Sequence, residues 1–298
     1  VIRVTSDTTI FSLSAEAVPA AEVAPGETVV LETLDCFSNQ VQSADAPLES
    51  IDWTHVNPAT GPVAVTGAEP GHVLVVHIDD IEVAPQGVMA VSDGFGVLSH
   101  HFKGMAFQMV QLENGTARVS GCAVPVQPMI GVIGVAPAGA GVPCGSPGSH
   151  GGNMDTRLIG AGATLYLPVF VPGALLAAGD LHAAMGDGEI CGTGVEVAGR
   201  ITLRVELRKD ISLTNPVVET AQVIATIASA VSLDEAGEMA VRDMADLLMG
   251  HLGLSPADAT MLMSAAGHLQ VSQVVDPLKT ARFAMPKTIV SQYPKALL

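Results

Sequence analysis

The chain has 298 residues, 48% hydrophobic and only 14% charged, with 13 Lys and Arg against 30 Asp and Glu and a formal net charge of −17. That balance argues against nucleic acid as a partner, since phosphates need a basic face, and against steering an anionic substrate in from bulk. Mean hydropathy is high at +0.44. The longest apolar run, Ala163 to Ala178, is nevertheless broken by Pro168, Pro172 and Gly173, so no membrane span is expected.

From Val1 to about Asp210 the sequence has the pattern of β structure. Thr28–Thr33, Val73–Ile78 and Ile201–Leu207 are rich in Val, Ile and Thr, have strand length, and are separated by Gly, Pro and Asn turns. Regular turn signals with few helical periods predict a mainly β fold, a β-sandwich or jelly-roll-like body rather than βαβ units. The tail differs. Ser232 and Glu235 form a capping-box pattern, followed by Met239, Met244, Leu247 and Leu248 at helical spacing. Ser255-Pro256-Ala257-Asp258 opens a second helix that Gly267 can close, with Met261, Leu262 and Met263 as packing side chains. A third short helix is expected after Asp276-Pro277. Residues 1–214 are thus expected to form the body that carries the site, and 215–298 a C-terminal helical appendage packed on it.

Low charge with much Ala, Val and Gly fits a homo-oligomer, a dimer or larger, that hides part of its surface. Cys36, Cys122, Cys144 and Cys191 are scattered without a Cys-x-x-Cys pair, which favours a reducing compartment over a disulfide framework. No basic segment followed by an apolar one marks a signal peptide, so a cytoplasmic location is expected.

Polar residues concentrate in four places. Leu34-Asp35-Cys36-Phe37-Ser38-Asn39-Gln40 ends a predicted strand, where a terminating turn competes with a site as the explanation. Asn57-Pro58-Ala59-Thr60-Gly61-Pro62 is a structural turn. Pro147-Gly148-Ser149-His150-Gly151-Gly152-Asn153-Met154-Asp155 sets polar side chains among glycines, whose amides can point at a ligand. There His150 and Asp155 are candidate metal ligands, and Asn153 could orient an amide or a water. Asp180, His182, Asp187 and Glu189 form two i, i+2 pairs between apolar flanks, a setting in which uncompensated carboxylates are costly and a cation is the natural partner. The donors suit a divalent ion, zinc or calcium, although neither an H-E-x-x-H helix nor a clean EF-hand loop is present. No G-x-S-x-G elbow occurs, and Lys103 is the only lysine before Lys209, so a lysine-assisted nucleophile is poorly supplied.

Taken in order, LDCFSNQ (34–40), NPATGPVAVTGAEPG (57–71), PMIGVIGVAP (128–137), PGSHGGNMD (147–155), LPVFVPGALLAAGDLHAAMGDGEICGTGVEVAG (167–199) and QVVDPLKTARFAMPK (273–287) resemble the acetamidase/formamidase family. The resemblance covers most of the chain. It implies a β-sandwich body, hydrolysis of short amides such as formamide and acetamide to ammonia and carboxylate, and a metal-dependent site drawn from Asp35, His150, Asp155, His182, Asp187 and Glu189. On that basis Asp35, Asp155 and His182 are the expected ligands and Glu189 the proton carrier, with Asp187 and His150 in the catalytic set as supporting or alternative ligands. Amides around Gly151 and Gly152 would face the oxyanion, with Asn153 on the substrate. Two alternatives stay open: a metal-stabilised β-sandwich that binds without catalysis, and a related hydrolase of lactams or larger amides.

Overall fold

The computed structural model describes all 298 residues. Two large sheets build the body. The first has nine strands in the order Ile2–Val4, Thr28–Thr33, Gly199–Arg208, Val73–Val83, Thr164–Pro168, Val217–Glu219, Val223–Ala230, Lys279–Pro286 and His268–Gln273. The second runs Cys122–Pro125, Thr116–Val119, Met105–Glu113, Gln86–Ser92, Glu196–Val197, Leu176–His182, Met129–Gly134 and Gly151–Asn153, with Ala59–Val65 pairing along the first half of Leu176–His182.

Alternation explains the first sheet. In Thr28–Thr33 every second residue, Val29, Leu31 and Thr33, is buried, and Ile201, Leu203 and Val205 do the same in Gly199–Arg208. These side chains meet Ile130, Ile133 and Leu181 of the second sheet in one shared core. The β-sandwich expected from turn spacing is therefore the architecture observed. No helix is long and apolar enough to cross a membrane.

One strand departs from alternation. All seven residues of Leu176–His182 are buried, so both of its faces are covered. Ala178 and Leu181 both join the shared core although they are three residues apart, because Asp180 between them takes a left-handed backbone (φ 55°) and resets the parity. That reset leaves Asp180 and His182 together on the side away from the core.

The C-terminal third is less helical than its pattern predicts. The helices Leu233–Leu252 and Pro256–Ala266 are present, and the Ser232 and Ser255 side chains cap them by accepting from the Glu235 and Asp258 amides, at 3.2 and 3.1 Å. Met244, Leu247, Leu248 and Met263 pack on Phe283 and Met285 of the sheet, whereas Met261, expected to pack, is exposed. Around these helices, Val217–Glu219, Val223–Ala230, His268–Gln273 and Lys279–Pro286 are strands that extend the first sheet. No helix starts at Asp276-Pro277; the short helix Lys287–Val290 comes only after the next strand. The turn there leads directly into Lys279–Pro286, whose run of buried residues marks an inner strand. Short apolar runs of this kind carry no period that separates strand from helix.

This segment also clasps the other half of the molecule. The Gly188 amide donates to Ser272 O (2.8 Å) and the Val274 amide to Gly188 O (3.1 Å). Arg282, fully buried, donates to Gln270 Oε1, Val271 O, Ser272 Oγ and, at 2.7 Å, Asp187 Oδ2. Arg282→Ala is expected to lower the unfolding free energy by about 3 kcal/mol, the low end for a broken buried pair because Asp187 keeps some solvent. A urea titration reads this as a lower midpoint. An unchanged midpoint would mean that the clasp adds no stability.

Candidate active site

His182 is the centre of a buried polar cluster. Its Nε2 lies 3.2 Å from Glu196 Oε1, 3.6 Å from Asp180 Oδ2, 3.8 Å from Glu189 Oε1 and 3.9 Å from Asp155 Oδ1. All five side chains are essentially withdrawn from solvent. Two donor trios emerge, Asp155–His182–Glu189 and Cys36–Asp180–Glu196, each with ligand atoms within 4.8 Å of one another.

The local backbone is unusual in the same place. Asp155, Asp180 and Glu189 adopt left-handed conformations, with φ of 43°, 55° and 47°. Such conformations cost non-glycine residues about 1–3 kcal/mol each and persist where the surroundings over-determine them. Two glycines make room. A methyl group on Gly131 would stand 2.5 Å from both Asp155 Oδ1 and Asp180 Oδ2, and one on Gly194 would stand 2.6 Å from the His182 ring. Only bare backbone at these two positions lets the carboxylates and the imidazole converge.

Electrostatics point to missing positive charge. Burial, then Asp276 and Asp180, push the Asp155 carboxyl well above the usual carboxylate range. Burial and Asp155 do the same to Glu189, and burial with Glu189 to Asp276. Glu196 is lifted to about 7 by burial, with His182 opposing. Burial disfavours the charged form of His182, but Glu196 and Asp180 outweigh it and raise its pKa well above the ordinary value. Meanwhile both carboxylate oxygens of Asp155, both ring nitrogens of His182 and Oε2 of Glu196 have no hydrogen-bond partner. Buried polar atoms are nearly always partnered, so this orphaned donor set fits a cation.

The other expected residues fall elsewhere. Asp35 accepts the Phe37 and Asn39 amides on Oδ1, at 3.0 and 2.7 Å, and belongs to neither trio, so it folds its turn. Asp187 points away from Glu189 to Arg157 and Arg282, because Gly188 (φ 103°) and Glu189 turn the chain and break the extended i, i+2 geometry. His150 is buried with its ring against Gly148 and Gly152, and burial lowers its pKa to about 4. The Gly151 amide donates to Gly148 O (3.1 Å), and Gly151–Asn153 is a strand, so neither glycine offers the expected loop amide to the cavity. Asn153 does line the cavity. Its Nδ2 donates to Asp276 Oδ2 at 3.0 Å, and its Oδ1 has no partner. Asp276 and Glu196 were not singled out in the sequence as site residues, whereas Cys36 lies in the Leu34–Gln40 segment already marked. Glu196 pairs directly opposite His182 on the neighbouring strand, while Asp276 sits in a C-terminal turn that nothing in the sequence ties to His182.

Cys36 does not supply a nucleophile in this setting. Burial and then the Glu196 carboxylate hold its thiol well above the ordinary value, so it stays protonated.

The acetamidase/formamidase family model matches residues 14–142 and 138–292, nearly the whole chain. The chain belongs to this family. A predicted acetamidase/formamidase from Thermoanaerobacter tengcongensis is 54% identical, covering 98% of this chain and 97% of its own, with a TM-score of 0.95. An acetamidase from Bacillus halodurans is 46% identical over 98% and 100% of the two chains, also with a TM-score of 0.95. A formamidase from Methylophilus methylotrophus is 28% identical across 294 residues, covering 75% of this chain and 72% of its own. The chain spans about two thirds of the length of the curated relatives it matches, from 63% to 72%.

The two glycines give a direct check. Gly131→Ala and Gly194→Ala should each keep the circular dichroism of the folded protein yet reduce bound divalent metal, measured by elemental analysis, at least about tenfold, the scale on which loss of a ligand's support acts. Full metal content in Gly131→Ala would show that Asp155 and Asp180 need not converge.

Proposed function

We propose that the chain hydrolyses primary carboxamides to carboxylate and ammonia with a divalent cation held by Asp155, His182 and Glu189. The observation that carries this reading is the convergence of those three buried groups, Asp155 and His182 without hydrogen-bond partners, beside a cavity that Glu189 lines together with Asp180 and Glu196. Family membership supports amide hydrolysis as the reaction. Zinc suits the trio better than calcium does. One imidazole nitrogen and two carboxylates are the donor types and number that would hold a catalytic zinc, whereas calcium prefers six to eight oxygens. When bound, such an ion polarises the amide carbonyl and makes water more acidic.

The chain's own residues do the rest. Glu196 lines the cavity and has a free Oε2, while its Oε1 accepts the Gly194 amide at 2.7 Å and so fixes the side chain. It takes the proton from the attacking water and returns it to the departing nitrogen, the role expected at first for Glu189. Burial raises this carboxyl from the ordinary carboxylate range, which makes it a stronger base for that exchange. Asn153 orients the substrate, since Asp276 holds its Nδ2 and leaves Oδ1 to accept from the amide –NH2. Asp180 adds negative charge beside His182 and Glu196, which favours the imidazole's hold on a cation.

Two substitutions separate the roles. Glu196→Gln should retain the metal and lower kcat about 100-fold or more, the usual contribution of a proton carrier. Glu189→Gln should lose the metal. Full turnover in Glu196→Gln would remove Glu196 from proton transfer, and full turnover after chelation, with elemental analysis showing no metal, would remove the cation from the reaction. A protein that holds metal but releases no ammonia from any amide would be a binding protein instead.

A further inference from the structure

The cavity above the carboxylate cluster is far larger than acetamide requires. Its volume is about 390 Å³, within the range of sites that enclose whole ligands, roughly 300–1,000 Å³. One water needs roughly 10–15 Å³ on this scale, so the four non-hydrogen atoms of acetamide would leave most of the space unfilled.

The walls are chemically divided. Charge is confined to the floor, where Asp180, Glu189, Glu196 and Asp276 are each buried. No lysine or arginine lines the cavity. Phe37 and Ala90 continue the wall from a small apolar cluster that also includes Phe107 and, at its edge, Met105. Trp53 and Phe95 stand at the mouth, 47% and 43% exposed. Both aromatic residues are held in place. Trp53 opens a short 3-10 turn capped by Asp52, which accepts the Thr54 amide at 2.9 Å. Phe95 lies over Gly192, where any side chain would collide with its ring, and the Val97 amide donates to Ile190 O at 2.8 Å to fix that loop against the site. An indole and a phenyl ring at the rim, with every charged side chain of the lining on the floor, make a surface suited to an apolar group.

We infer that the substrate is a primary amide, R–CO–NH2, whose acyl group R is neutral, apolar and larger than methyl, of hexanoyl or phenylacetyl size. This rests on the hydrolytic reading above and narrows its substrate. The division of the walls sets the orientation. The –NH2 group lies at the floor, where carboxylates and Asn153 Oδ1 accept its hydrogens, and R extends past Phe37 toward Trp53 and Phe95. An apolar substituent on nitrogen would instead place carbon among carboxylates and leave buried acceptors unmatched. A carboxylate or phosphate on R would lie against the aromatic wall without any lysine or arginine to receive it. In the reaction, water's oxygen bonds the acyl carbon and the C–N bond breaks; one water proton reaches the leaving nitrogen to make ammonia and the other passes from the new carboxylic acid to that ammonia, so that R–COO⁻ and ammonium depart without any oxidant or second substrate.

The test is ammonia release from the metal-loaded full chain across acetamide, butanamide, hexanamide and phenylacetamide, with N-phenylacetamide (assayed for aniline) as the reversed substituent. Burying one methylene favours binding by about fourfold. The kcat/KM should therefore rise at least about tenfold from acetamide to hexanamide, and N-phenylacetamide should be the poorest. Trp53→Ala and Phe95→Ala should each lower the ratio of kcat/KM for phenylacetamide to that for acetamide by about tenfold. Because this is a ratio within one preparation, partial misfolding cancels. Values that stay flat or fall from acetamide to hexanamide, or a ratio unmoved in both variants, overturn the inference and leave amide hydrolysis standing. Ammonia from none of the amides overturns both.

Discussion

Everything distinctive in this structure follows from gathering Asp155, Asp180, Glu189 and Glu196 around one imidazole inside a β-sandwich. Two unit charges about 4 Å apart interact by about 4 kcal/mol at the effective dielectric of a protein. Several such pairs would rival the whole stability of a domain, about 5–15 kcal/mol. The cluster cannot stay fully ionised by itself. Protons held at raised pKa or a bound cation must relieve it, and both oxygens of Asp155 and Oε2 of Glu196 have no hydrogen-bond partner. The same charge density that would unfold an ordinary core is what the proposed cation would neutralise.

The scaffold meets that constraint through backbone geometry more than through any single strong contact. Left-handed residues at 155, 180 and 189 turn side chains inward from three separate segments. Gly131 and Gly194 withdraw the backbone where those side chains meet. The C-terminal strands then close the arrangement, with Gly188 bonded to Ser272 and Val274 while Arg282 grips Asp187 two residues before Glu189. Residues far apart in the chain thereby set the position of Glu189, and Asp276 arrives at the cavity on the same element. The tail is part of the site, not merely a covering for the body.

Some of this was legible beforehand. Strands such as Thr28–Thr33 and Gly199–Arg208 declared themselves because one face of each is buried and period two is a local property. Helix caps at Ser232 and Ser255 were equally local. The pairing of Asp180 with His182 followed from the same period, and Asp155, His182 and Glu189 came from segments already marked as polar and glycine-rich. The i, i+2 argument failed for Asp187 and Glu189 because it assumed an extended backbone where the chain turns at Gly188. Asp35 and His150 misled for a related reason. Polar residues near glycines serve turns as often as sites, and in sequence the two uses look alike.

The sequence by itself determined the fold class, the family, and the residue types available for chemistry, because alternation, capping and long motifs are encoded between near neighbours. Tertiary structure decided which acids share a cavity, that Glu196 and Asp276 join them, and that 215–298 completes a sheet. It also decided that the cavity above the carboxylates is wide and apolar at its mouth. These are questions of distance between segments remote in the chain, and like-charge burial is a property of such distances, one that no local pattern carries.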